Sequence, residues 1–156
     1  MGAIHAGNIA ATDRATLGYI VDTNLERANT LANKYGAIAS IDCKNVLADP
    51  SVNAVIIASA TDTHADLIEA SVRANKAIIC EKPIDLSLER VRTCERAIAG
   101  FDKPVMIGFQ RRFDTTHRAV RQAIEQGEIG AVESISITSR DPSPPPYEYI
   151  KTSGGQ

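Results

Sequence analysis

Two hydrophobic rhythms alternate along the chain. Residues 17–21, 37–40, 54–58, 76–80 and 105–109 are short runs of strand length, and 54–58 is apolar throughout, as suits a strand covered on both faces. Between them apolar residues recur at helical spacing. Asn24 is placed to cap a helix running to Tyr35, with Leu25, Ala28, Leu31, Ala32 and Tyr35 on one face, and Gly36 fits its end. Asp42 caps a short helix to Ala48, and Asp62 or Thr63 opens one to Ala74. Ser87 falls in the first turn of a helix reaching Ala99, and a further helix spans about 114–126 before Gly127. Strands alternating with helices predict α/β architecture, a doubly wound Rossmann-type parallel sheet.

Both ends depart from that rhythm. A doubly wound nucleotide fold opens on a strand and a glycine-rich turn. Here Met1-Gly2 leads at once into a helix-like stretch, 3–11, so the first strand of the sheet is expected to be missing. Residues 131–140 alternate and are rich in β-branched side chains, which predicts a strand with one wet face and the beginning of a second, α+β domain. Residues 141–150 contain four prolines and read as an extended loop. The expected organisation is a truncated dinucleotide-binding domain over 1–110 and the incomplete start of a substrate and oligomerisation domain over 111–156, a fragment of a longer enzyme.

Composition narrows the classes. The 17 basic and 19 acidic residues leave a net charge of -2, so no broad basic field draws nucleic acid or anionic lipid. No apolar run is long enough to span a membrane, and the first residues lack a secretion signal. Cys43, Cys80 and Cys94 form neither a CxxC pair nor a ligand set with histidine, which points away from metal and towards a reducing, cytoplasmic setting.

Candidate chemistry clusters after the apolar runs, where open α/β sheets bind ligands. The most informative stretch is Ala77-Ile78-Ile79-Cys80-Glu81-Lys82-Pro83, a buried-type strand that delivers a lysine at its carboxyl end. Asp22 ends the first run twenty residues after Gly2, where an acidic side chain meets the ribose hydroxyls of NAD and repels the extra phosphate of NADP. An aspartate there is also ordinary turn chemistry.

These features, with Gly2-Ala3-Ile4-His5-Ala6, Ala60-Thr61-Asp62-Thr63-His64, Gly108-Phe109-Gln110-Arg111-Arg112-Phe113-Asp114 and Thr138-Ser139-Arg140-Asp141-Pro142, resemble the Gfo/Idh/MocA family of NAD(P)-dependent oxidoreductases over essentially the whole chain. The resemblance implies NAD as cofactor, in preference to NADP, and a cyclic polyol like myo-inositol as substrate, whose secondary hydroxyl is oxidised to a ketone. It implies Lys82 as the catalytic lysine, hydrogen-bonded to that hydroxyl and also touching cofactor, with Glu81 beside the cofactor and orienting the loop and a cis peptide before Pro83. Gly2 stands as the third glycine of the turn, the alternative being free N-terminal chain. Ala60 and Thr61 pass along the dinucleotide with His64 nearby, although a surface position in the first helical turn is the preferred reading for His64. Gln110, Arg111 and Arg112 border nicotinamide and polyol, Arg111 towards cofactor and Arg112 towards substrate, the plain alternative being an arginine paired with Asp114. Asp141 accepts from a polyol hydroxyl or serves a turn. The resemblance also implies that the lysine works with an aspartate and a histidine from a helix downstream of this chain; His5 and His117 lie in predicted helices and match neither. A homo-oligomer is expected of the full-length form. Rival readings are a non-catalytic nucleotide-binding or subunit-pairing remnant and a glucose-like sugar dehydrogenase.

Overall fold

The computed structural model describes residues 1–140 together with Ser143, Pro144 and Tyr147. The chain forms two compact units, Met1–Gly108 and Phe109–Gln156. The first unit contains helix α1 (Gly2–Ala10), strand β1 (Tyr19–Val21), α2 (Leu25–Tyr35), β2 (Ile38–Ser40), α3 (Cys43–Ala48), β3 (Ala54–Ile57), α4 (His64–Arg73), β4 (Ala77–Cys80), α5 (Leu88–Ile98) and β5 (Val105–Ile107). All strand pairs are parallel, and the ladders form two groups, β1-β2 and β3-β4-β5. Among the described residues β1 and β3 share no ladder with each other.

Local chemistry sets the helix limits. Asn24 accepts from Arg27 N–H at the start of α2, and Gly36 closes that helix in the left-handed region at φ 70°. Asp42 accepts from the Lys44 and Asn45 amides to start α3. Ser87, expected inside the first turn of α5, is instead its N-cap and accepts from Arg90 N–H. A hydroxyl satisfies an orphan amide there and has no such use one residue later.

The main core lies where α4 and α5 meet the three-stranded sheet: Ile57, Ala65, Ile68, Ile78, Cys80 and Cys94 are buried together. Ile68 and Ile78 are each 1% exposed, and burial of such a side chain stabilises by about 1.5–3 kcal/mol. Arg90 of α5 donates to Glu69 and Asp66 of α4, fixing one helix against the other. The two-stranded ladder has a smaller core of Ala28 and Ala32 from α2, with Val46 and Leu47 of α3 also buried. Tyr19 Oη donates to Asp49 Oδ2 at 2.7 Å, and buried Lys76 Nζ donates to the Asp49 carbonyl at 2.7 Å, so one residue ties β1 to the turn before β4.

The second unit holds a short 3-10 turn, Gln110–Phe113, and helix α6 (Thr115–Glu125), capped by Asp114. The predicted strand over 131–140 is not formed. Those residues are exposed and belong to no ladder, because a strand exists only beside a neighbour that takes its backbone hydrogen bonds. The alternating pattern supplies a face, not a partner. Asp141 and most of the proline-rich stretch fall outside the described residues.

Candidate active site

The carboxyl end of β4 is built from the inside outwards. Cys80 is fully buried, and burial pushes its thiol up to about 12. The Glu81 amide donates to the Ile57 carbonyl at 2.8 Å, continuing the ladder one residue beyond the strand. Lys82 follows and is exposed, and its side chain has no ion pair or hydrogen bond among the described residues. The Lys82–Pro83 peptide is cis. The strand therefore ends at the carboxyl side of the sheet on a lysine that has no side-chain partner among the described residues.

The backbone on both sides of that lysine is held. His5 of α1 donates from Nε2 to Glu81 Oε1 at 2.7 Å, with His5 and Glu81 side chains 24% and 14% exposed. Gly108 abuts the same carboxylate, since a Cβ there would lie 3.2 Å from Oε2. On the other side His64 Nδ1 donates to the Pro83 carbonyl at 2.7 Å, and its Nε2 lies 3.2 Å from the Ser59 carbonyl. His64 is 2% exposed, which corrects the surface position read from sequence. It shares a helix face with buried Ala65, Ile68 and Ser71, and both ring nitrogens face carbonyls of the chain itself. Its ring braces two loops.

Ser59, Ala60 and Thr61 form the neighbouring loop after β3. Thr63 Oγ1 donates to the Ala60 carbonyl at 2.7 Å and lies 2.6 Å from Ser59 Oγ, closing the turn in front of α4. At the end of β1, Asp22 Oδ1 accepts from Asn24 N–H at 2.8 Å and from Arg27 at 2.8 Å. The Asn24 amide first, and Arg27 after it, hold this carboxyl below the usual aspartate range. Asp22 is thus a firmly ionised carboxylate.

Helix α1 starts with no side-chain cap and no acidic residue in its first turn. Its leading amides suit an anion such as a pyrophosphate, and the ionised Asp22 suits ribose hydroxyls, so the residues present fit NAD. Gly2 does not owe its identity to packing here, because a Cβ would meet nothing within 4 Å. The close approach in α1 is at Gly7, where a Cβ would lie 3.2 Å from Tyr35 Oη of α2. Among the described residues no three His, Cys, Asp or Glu side chains gather as a metal centre requires, and no helix is long and apolar enough to cross a membrane.

In the second unit Arg111 and Arg112 are exposed, and neither forms an ion pair among the described residues. The expected alternative, an arginine on Asp114, is not what forms. Asp114 Oδ1 accepts from the His117 amide at 3.0 Å and from its Nδ1 at 2.8 Å, the Nδ1 bond being the larger cause of its lowered carboxyl. The cap wins because His117 lies one helical turn away.

The geometry has counterparts among known proteins. Residues 1–109 match the family described as Oxidoreductase family, NAD-binding Rossmann fold (GFO_IDH_MocA). The inositol 2-dehydrogenase of Rhizobium meliloti is 48% identical over 156 residues, covering 99% of this chain and 47% of that protein. The solved myo-inositol dehydrogenase of Corynebacterium glutamicum superposes with a TM-score of 0.90 at 42% identity, over 98% of this chain and 46% of that one. The scyllo-inositol dehydrogenase of Lactobacillus casei, solved with NAD(H) and scyllo-inositol, superposes with a TM-score of 0.76 at 30% identity, over 81% of this chain and 38% of its own. The chain spans about half the length of the curated relatives it matches.

Proposed function

The chain belongs to the Gfo/Idh/MocA oxidoreductase family, and from that premise we propose that the protein oxidises a secondary ring hydroxyl of an inositol-like cyclic polyol to the ketone, with NAD as cofactor. The observation that carries the reading is the unpaired Lys82 at the end of β4, on a backbone held on both flanks. Bound NAD supplies the hydride acceptor. The amides at the start of α1, beginning at Gly2, receive the pyrophosphate, Asp22 takes the adenosine ribose, and the backbone of Ala60 and Thr61 lies along the dinucleotide. Lys82 donates to the reacting hydroxyl oxygen and stabilises the negative charge that builds on it as the hydroxyl proton passes to solvent water. The family resemblance assigns Arg111 to cofactor and Arg112 and Asp141 to substrate; Arg111 and Arg112 are exposed and form no ion pair among the described residues, which leaves them available for such roles. An ionised Asp22 disfavours the additional phosphate of NADP. Assembly of the full-length form with copies of itself is proposed from the family resemblance alone.

The test is NADH formation by the protein with myo-inositol, scyllo-inositol and glucose, beside calorimetric titration of NAD and NADP. Inositol-dependent turnover with NAD sustains the reading. Turnover with glucose alone would make it a related sugar dehydrogenase, and tight NAD binding without turnover on any polyol would make it a nucleotide-binding remnant.

A further inference from the structure

We propose that His5 and His64 are positioning residues for Lys82, gripping the residues before and after it from two different helices. The inference rests on the reading of Lys82 given above. Glu81 and Pro83 are the immediate neighbours of Lys82, and each is held by one histidine: the Glu81 carboxylate by His5 Nε2 at 2.7 Å, the Pro83 carbonyl by His64 Nδ1 at 2.7 Å. A carboxylate oxygen and a carbonyl oxygen accept, so the ring nitrogens are the donors in both bonds. Gly108 walls off the far side of the Glu81 carboxylate, and the Ile57 carbonyl holds the Glu81 amide. The loop is therefore fixed from α1, α4, β3 and the end of β5, while the ammonium between the held points stays unengaged among the described residues.

The choice of elements gives the clamp a functional direction. His5 lies in α1, whose first turn is the pyrophosphate end in the proposed cofactor site, one helical turn before it. His64 begins α4 and also reaches the Ser59 carbonyl, in the loop that borders the dinucleotide in the same reading. The two histidines thus join the elements that hold cofactor to the residue that holds substrate. A held backbone fixes where the flexible lysine side chain starts, and small misplacement of such a group lowers the chemical step far more than it lowers cofactor affinity.

The experiment compares wild type with His5→Ala, His5→Gln, His64→Ala, His64→Asn and Lys82→Ala in the active protein, measuring kcat, KM for NAD and thermal midpoint. His5→Ala and His64→Ala are each expected to lower kcat by roughly ten- to a hundredfold with KM for NAD changed less than about threefold. His5→Gln and His64→Asn keep a donor near the original nitrogen and are expected to recover most of the loss. An unchanged kcat in folded His5→Ala overturns the proposal, as does a conservative variant no better than alanine. Should His64→Ala fail to fold, His5→Ala at its partly exposed position and His64→Asn still decide. Lys82→Ala separates the two levels of inference. If it leaves turnover intact the reading of Lys82 itself fails, whereas a severe loss there beside unaffected histidine variants removes only the clamp.

Discussion

Two charged residues occupy similar places in the first unit and behave in opposite ways. Asp22 follows β1 directly, and Lys82 follows β4 by one residue. Asp22 is engaged by the Asn24 amide and Arg27, which keep it ionised and shape the turn into α2. Lys82 has no partner among the described residues, and the structure holds its neighbours instead. A charge that serves binding tolerates partners that fix its protonation state. A charge that must meet a reacting atom is better left free on a stiff stem.

The sharpest way to break that contrast is to remove the free charge. Lys82→Ala is expected to lower turnover by about 10²–10⁴-fold, the range for a positioned proton-handling group, while calorimetry finds NAD affinity little altered. A parallel loss of NAD affinity would make Lys82 a cofactor ligand and erase the contrast with Asp22.

Loosening the stem comes next. Gly108→Ala would put a Cβ 3.2 Å from Glu81 Oε2 and 3.4 Å from the Cys80 carbonyl, so the carboxylate or the strand end must shift. The expected cost is about 1–3 kcal/mol of stability, read from denaturant midpoints, together with a fall in kcat larger than any change in KM for NAD. Loss of stability without loss of kcat would show that Glu81 can move without disturbing the lysine.

Changing the engaged charge is expected to be milder. In the proposed reading Asp22 discriminates against NADP, so Asp22→Ala should lower the ratio of NAD to NADP affinity by about tenfold, the equivalent of roughly 1.4 kcal/mol. Because the pair with Arg27 is exposed, unfolding should move by no more than about 1 kcal/mol. An unaltered cofactor ratio would leave Asp22 with its turn alone.

The same contrast explains what could be read from the chain. Short-range devices were legible: Asn24 and Asp42 cap helices where their spacing to the next apolar face said they would, and Gly36 and Gly127 take positive φ after the helices they close. Ser87 was one position out, because a cap and a first-turn residue differ by a single backbone conformation. The strand ends carrying Asp22 and Lys82 followed from apolar runs alone. The histidines did not, since His5 meets Glu81 across 76 residues and no local pattern announces it. His64 does carry a local trace: it precedes Ala65 and shares helical spacing with Ile68 and Ser71, the buried face of α4. Residues 131–140 show the converse failure, a strand pattern whose ladder depends on a neighbour that alternation cannot provide.

The smallest effect concerns the boundary between dry strand and wet loop. Cys80 has no exposed surface, while Lys82 two residues later is exposed. Burial is the first cause of the Cys80 shift, from an ordinary 9.0 to about 12, with nearby Cys94 and Glu81 adding to it. A thiol whose folded value lies above its unfolded one favours the fold below pH 9.0 and withdraws that contribution as pH rises towards 12. Denaturant midpoints should therefore fall through this alkaline window, and Cys80→Ala should fall less steeply than wild type after allowing for its lower starting stability. Near neutral pH the partly exposed Cys43 should be alkylated well before Cys80 or Cys94, both of them buried. Equal alkaline slopes, or Cys80 labelled as fast as Cys43, would mean that water reaches the end of β4, and a lysine stem in a wet loop would lose the rigidity on which the contrast with Asp22 depends.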